Sequence, residues 1–264
     1  MRGLITAGGT TLIGMVHLRP LPGSAGWNGD VDALVQAALT DATALVAGGC
    51  DALIVENMGD TPYLKGHVFP ETVAAMTVAT RDVVGLGVPT GVQVLAGANR
   101  EALGVALASG AHFIRVEGFA YAHVADEGWI DACAAELVRA RSMLGTQIEI
   151  WADIQKKHAA HAVTQDLSLA DWVHGADFCG ADGVIVTGGR TGLPPDPAAL
   201  EALQGQRLPV AVGSGVTADN IGEYVGRAAA VIVGSALKYD GHWRNAVDEG
   251  RVKRVRDALD RALG

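Results

Sequence analysis

The chain has 264 residues, and a hydrophobic content of 49% with only 19% charged residues excludes an intrinsically disordered protein, which buries too little apolar surface to offset its ordering entropy. Twenty Lys and Arg against 29 Asp and Glu leave a net charge of −9, which repels phosphate backbones, and no basic run carries interleaved aromatics, so nucleic acid is not expected as a partner. No apolar run reaches the length of about 18 residues that a membrane-spanning helix needs.

The N-terminal MRGLITAGGTTLIGMV is too briefly apolar, and too soon broken by Gly8 and Gly9, to read as a secretory signal. Cys50, Cys133 and Cys179 lie far apart with no CxxC spacing and read as small hydrophobes of a reducing compartment. The cytoplasm is therefore the expected location.

Along the chain one phrase recurs: glycine, then Ala or Cys, then a polar residue, then a β-branched run. It appears as AGGCDALIVEN (47–57), SGAHFIRVEG (109–118), CGADGVIVTG (179–188) and, more loosely, GRAAAVIVGS (226–235). Glycine ends a helix because it accepts the left-handed conformation without a Cβ clash, and a wholly apolar run suits a parallel strand covered on both faces. Eight strands are predicted near 11–16, 51–56, 90–95, 112–116, 147–153, 183–187, 208–212 and 230–233. Helical periodicity fills the intervals at 30–47, 71–84, 99–108, 130–144, 168–178, 196–203, 218–225 and 247–263, with Asn99, Ser168, Asp196 and Asp219 at cap positions. Such alternation predicts an α/β fold, a single (β/α)8 barrel domain over residues 1–264, ahead of an open sheet, for which the GxGxxG after the first strand is missing.

Two Gly-Ser loops close predicted strands seven and eight, PVAVGSGVT (209–217) and AAVIVGSALK (229–238). Barrels commonly bind phosphate there through backbone N–H groups, and glycine lets the anion reach the backbone. Gly213, Ser214, Gly215, Gly234 and Ser235 are thus the expected phosphate-binding residues, with Thr187 and Gly188 from the VTGGRTG loop (186–192) assisting.

Catalytic groups in barrels project from carboxyl strand ends, which hold His17, Glu56 with Asn57, Gln93, Arg115 with Glu117, Asp153 with Lys157 and His158, and Lys238 with Asp240. Glu56 and Asp153 each end an apolar strand, where packing alone would not select a carboxylate, and are expected to divide acid and base work. Lys157, Arg115 or His158 would stabilise developing negative charge. Glu149 shares strand parity with Asp153, so it is expected in a lower barrel layer or paired with a basic side chain at the bottom face. No cofactor is expected; a divalent metal on His158 and His161, three apart on a helical face, with a carboxylate completing the set, is the weaker alternative. GxSxG and HExxH are absent.

The motifs MVHLRPLPGS (15–24), ALIVENMGDTPY (52–63), FIRVEGFAYAHVADEG (113–128), ADIQKKHAAHA (152–162) and ADGVIVTGGRTG (181–192), with the two Gly-Ser loops, resemble the BtpA family over residues 11–255. The resemblance implies a TIM barrel. It points to a branch outside photosynthesis, with Gln155 at a position where another basic residue is expected and LAGANR (95–100) in place of a more polar turn. The leading expectation is an enzyme acting on a small phosphorylated substrate, a sugar phosphate or nucleotide-like ester, by isomerase or lyase chemistry. The alternatives are a non-catalytic assembly factor, which the family name suggests, and a metal-dependent hydrolase. The sequence is compatible with a homo-oligomer.

Overall fold

A computed structural model describes residues 9–156, 158–188 and 195–264. Eight parallel strands close into a barrel: β1 (Thr11–His17), β2 (Ala52–Glu56), β3 (Thr90–Gln93), β4 (Phe113–Val116), β7 (Glu149–Ile154), β9 (Gly183–Thr187), β10 (Val210–Gly213) and β11 (Ala230–Val233). Each helix-ending glycine of the recurrent phrase does what its lack of a Cβ permits: Gly49, Gly110, Gly180 and Gly226 all have positive φ. Around the barrel lie α1 (Val31–Ala47), α2 (Pro70–Val84), α3 (Asn99–Ser109), α4 (Ala134–Met143), α5 (Leu169–Phe178), α6 (Pro197–Glu201) and α7 (Glu249–Leu263). None of the helices among the described residues is long and apolar enough to cross a membrane.

Strand parity decides what faces inward. Ile13 and Met15, Ala52 and Ile54, Phe113, Trp151, Ile185, Ala211, Ala230 and Ile232 form a buried cluster inside the barrel, distinct from the larger core between strands and helices. Two aromatic rings dominate this interior, and glycines make room for them: a Cβ on Gly183 would stand 2.6 Å from Trp151 Cε3, and one on Gly91 would overlap the Phe113 ring. Burial of side chains this large contributes about 1.5–3 kcal/mol each. Glu149 lies in this lower region, where its Oε2 accepts a 3.0 Å hydrogen bond from Trp151 Nε1 instead of pairing with a basic side chain.

Three expected features differ. Residues 130–144 are not one helix, because residues 128–130 pair in a small antiparallel sheet of β6 (Gly128–Ile130), β5 (His123–Ala125) and β8 (Ala159–Ala160). His158 and His161 therefore flank a strand and share no helical face. Between β10 and β11 the described chain forms only a short 3-10 turn, Ile221–Glu223, with Asn220, and not Asp219, at its cap position and the Asn220 side chain bonded back to the preceding loop. Ser168 and Asp196 do cap their helices, Ser168 through a reciprocal bond with Asp171, whereas Asn99 is the first helical residue and donates to the Glu117 carbonyl at 2.7 Å.

Candidate active site

The inward parity that is apolar below becomes polar at the carboxyl ends. His17, Glu56, Gln93, Arg115, Asp153 and Thr187 occupy the next inward positions on six strands, and the register sets His17 beside Glu56 and Glu56 beside Gln93. Above this ring lies a cavity of about 770 Å³, within the size range of small-molecule sites.

Three strands lie between β4 and β11 in either direction around the ring, so the groups that follow them face each other across the mouth. On the β4 and β7 side sit Arg115, Glu117, Asp126, Glu127, Lys156 and His158; on the β10 and β11 side sit Ser214–Asp219 and Gly234–Ala236. Of the expected phosphate residues, Ser214, Gly215, Gly234 and Ser235 line the cavity. Gly213, Thr187 and Gly188 are buried at the ends of β10 and β9, outside the lining, and a Cβ on Gly213 would stand 3.1 Å from Ile185 Cγ2. The rest of the VTGGRTG loop, from Gly189, lies outside the described residues.

The first Gly-Ser loop is shaped from within by Asn220. Its Oδ1 accepts from the Thr217 N–H at 2.8 Å and its Nδ2 donates to the Gly215 carbonyl at 2.9 Å. Ser214 takes φ of 75° and Gly215 φ of 71°, two successive residues in the left-handed region that side chains other than glycine rarely adopt. Gly234 is needed for a different reason: its Cβ would stand 3.1 Å from the His17 ring.

On the facing wall, Arg115 and Asp153 form a buried pair, Nε lying 3.1 Å from both carboxylate oxygens. Burial opposes the guanidinium charge, but Asp153 and Glu56 more than offset it and raise the Arg115 pKa. Asp153 is held under Arg115 and does not line the cavity, while Glu56 does and lies 3.5 Å from His17 Nε2. Lys157 lies outside the described residues. His158 lines the cavity with φ of 58°.

The group that the sequence reading did not assemble is Glu117, Lys156 and Glu127. Lys156 Nζ lies 3.1 Å from Glu117 Oε2 and 3.7 Å from Glu127 Oε2, with all three side chains nearly buried. Burial pushes the Glu117 carboxyl up to about 7, with Lys156 working against the shift and Asp153 adding to it. Burial also disfavours the Lys156 charge, yet Glu117 and Glu127 together hold its pKa above the ordinary value. One carboxyl of this closely spaced group is therefore held near neutrality, the range in which a general acid or base works. The small sheet assembles this group: Asp126 and Glu127 form its hairpin turn, and Lys156 precedes β8. The Asp-Glu-Gly at 126–128 is a hairpin signal in the sequence.

The remaining strand-end groups are structural. Lys238 is buried and donates to Asp41 at 2.7 Å, and Asn57 is buried among Asp60 and Leu95. His161 Nε2 donates to the Lys156 carbonyl at 2.9 Å, its ring against His123 and Trp172. Among the described residues no group of three His, Cys, Asp or Glu side chains converges as a metal site would need.

A model of the BtpA family matches residues 9–261. The chain belongs to the BtpA family. A mitochondrial protein of Caenorhabditis elegans is 42% identical over 259 residues, which is 95% of this chain and 93% of that protein. The Photosystem I biogenesis protein BtpA of Synechocystis is 40% identical over 257 residues, 96% of this chain and 88% of that protein. Among solved structures, the phosphoribosyl anthranilate isomerase of Thermus thermophilus superposes with a TM-score of 0.58 at 14% identity, covering 96% of this chain and 99% of that one. A native KDPGal structure gives 0.57 at 16% identity, covering 96% and 95%. At such identities the likeness shows that this BtpA-family chain has the TIM-barrel fold.

Proposed function

We propose that this BtpA-family chain is an enzyme acting on a small phosphorylated ligand, a sugar phosphate or nucleotide-like ester, by proton transfer of the isomerase or lyase kind. The observation that carries the reading is one cavity with two Gly-Ser loops on one side and the Glu117–Lys156 pair on the other. Ser214, Gly215, Gly234 and Ser235 hold the phosphate; backbone N–H groups and hydroxyls suit a dianion. Glu117 takes or gives the proton, and Lys156, with Arg115 and His158, stabilises the negative charge that develops on an oxygen. Glu56, beside His17, is the second acid/base group, and Asp153 positions Arg115. The neighbouring fold whose name includes a phosphoribosyl substrate supports the ligand class by analogy.

A second reading, an assembly factor, follows the name of the Synechocystis relative. An enclosed cavity with buried charges favours catalysis, since a docking surface has no need of ionisable groups sequestered from water. The test is calorimetric titration with a panel of pentose and hexose phosphates. Binding that Ser214→Asp abolishes supports the reading, and equal affinity in that variant overturns it.

A further inference from the structure

The cations facing the cavity do not all come from the barrel. Arg115, Lys156, Arg251 and Arg254 line it, and the last two stand on α7, three residues apart and thus on one helix face. The helix packs against both 3-10 turns that follow the Gly-Ser loops, Ile221–Glu223 and Ser235–Leu237, and buried Val255 beside Arg254 also lines the cavity. Arg251 reaches to the rim, since its Nη1 lies 3.9 Å from where a Cβ on Gly241, another lining residue, would be.

Charge pairing separates the four. Arg115 is matched by Asp153, Lys156 by Glu117 and Glu127, and Arg251 by Asp248 at 3.7 Å. Among the described residues Arg254 has no carboxylate within ion-pair distance, although α7 satisfies Lys253 with Glu249 and Arg256 with Asp51. The acidic groups of the lining are Glu56, Glu117, Asp126, Glu127 and Asp219, and only Asp219 belongs to the Gly-Ser side. The cavity is therefore polarised, with its unmatched positive charge beside the loops.

We infer that Arg251 and Arg254 complete the phosphate seat, so that the closing helix supplies the cations that the strand-end loops lack. This rests on the phosphorylated-ligand reading. Backbone N–H groups and serine hydroxyls hydrogen-bond a phosphate but do not neutralise it, whereas a guanidinium does both through its fork of donors. The seat then selects a terminal phosphate monoester, doubly charged near neutrality, over neutral or singly charged analogues of the same sugar.

The inference is tested by calorimetric titration of the full chain with inorganic phosphate, with circular dichroism to verify folding. Arg254→Ala is expected to weaken binding about tenfold, the loss of a hydrogen bond to a charged group, with Arg254→Lys in between. Lys253→Ala, on the neighbouring face, is expected to bind as the parent does. If Arg251→Ala and Arg254→Ala bind phosphate as tightly as the parent while Ser214→Asp does not bind, the loops stand and the arginine assignment falls. Equal losses in Lys253→Ala and Arg254→Ala mean a diffuse field and also overturn it. A parent chain that binds neither inorganic phosphate nor any sugar phosphate of the panel overturns the ligand reading and this inference together.

Discussion

Asp153 offers both carboxylate oxygens to one nitrogen of Arg115 at 3.1 Å, and neither side chain is more than 8% exposed. The pair joins adjacent barrel strands at the level where the interior changes from apolar to ionic. Removing one partner strands the other in a poorly solvated place. Asp153→Asn is accordingly expected to cost about 3–5 kcal/mol in urea unfolding, whereas the double variant Arg115→Met with Asp153→Leu recovers most of it. An Asp153→Asn protein as stable as the parent would show that the pair does not hold the barrel mouth.

Interior packing gives a second expectation. Gly183→Ala places a methyl 2.6 Å from Trp151 Cε3, well inside van der Waals contact, so the ring must move. Overpacking of this kind costs about 1–3 kcal/mol. Thermal melts should show a lowered Tm for Gly183→Ala and partial rescue by Trp151→Phe, which removes part of the opposing ring. A Tm unaltered by the single change would mean that the interior is looser than described.

The acid limb of stability should depend on His123. Burial, with Lys156 and His161 nearby, pushes its pKa from 6.5 down to about 4, so between these values the unfolded chain holds the extra proton. Stability contributed by neutral His123 is then present above pH 6.5 and lost as pH falls toward 4. Glu117 acts in the opposite sense, protonated in the fold up to about 7 against 4.5 for an ordinary glutamate, so its contribution is lost as pH rises through that window. Urea unfolding across pH 4–7 should show a shallower acid-side decline for His123→Phe and a shallower neutral-side decline for Glu117→Gln. Parallel profiles for variants and parent would refute both assignments.

Loop order is open to a separate measurement. Asn220→Ala removes bonds to the Thr217 N–H and the Gly215 carbonyl while leaving every lining residue in place. Affinity for sugar phosphates should fall about tenfold, with a stability loss of about 1–2 kcal/mol for two hydrogen bonds. Unchanged affinity would show that ligand binding does not depend on the loop shape that side chain holds.

Catalysis should carry the mark of Glu117. With a turned-over substrate, the rate is expected to change through pH 7, where the carboxyl titrates, and Glu117→Gln should lower kcat by about 10²–10⁴ and remove that limb. A full rate with the limb intact would exclude Glu117 from proton transfer.

Four of the eight barrel strands were legible because a glycine stop followed by a β-branched run reports two local preferences at once, and the other four followed from apolar runs at the remaining places in the strand–helix alternation. The Gly-Ser loops were legible for the same reason, since Ser214 and Gly234 stand at conformations and close approaches that few residues tolerate. What escaped was assembly at a distance. Glu127 and Lys156 meet only because β5 pairs with β8 across more than thirty residues, as the Val124 to Ala160 register shows, and short strands leave little periodicity to read. Asp153 misled for a related reason: a carboxylate at a strand end announces a charge but not its neighbour, and Arg115 takes it. Arg251 and Arg254 lie on a helix whose charges look, in sequence, like an ordinary solvated face.

Phe113 and Trp151 have one more effect. Both rings are nearly inaccessible and fill the barrel with the aliphatic residues around them, so the cavity above has a closed floor. For the enzyme proposed above, a product leaves through the mouth by which the substrate enters, and the two contend for the same threshold. Product inhibition of that enzyme is then expected to be competitive, raising the apparent KM for the sugar phosphate and leaving kcat unchanged.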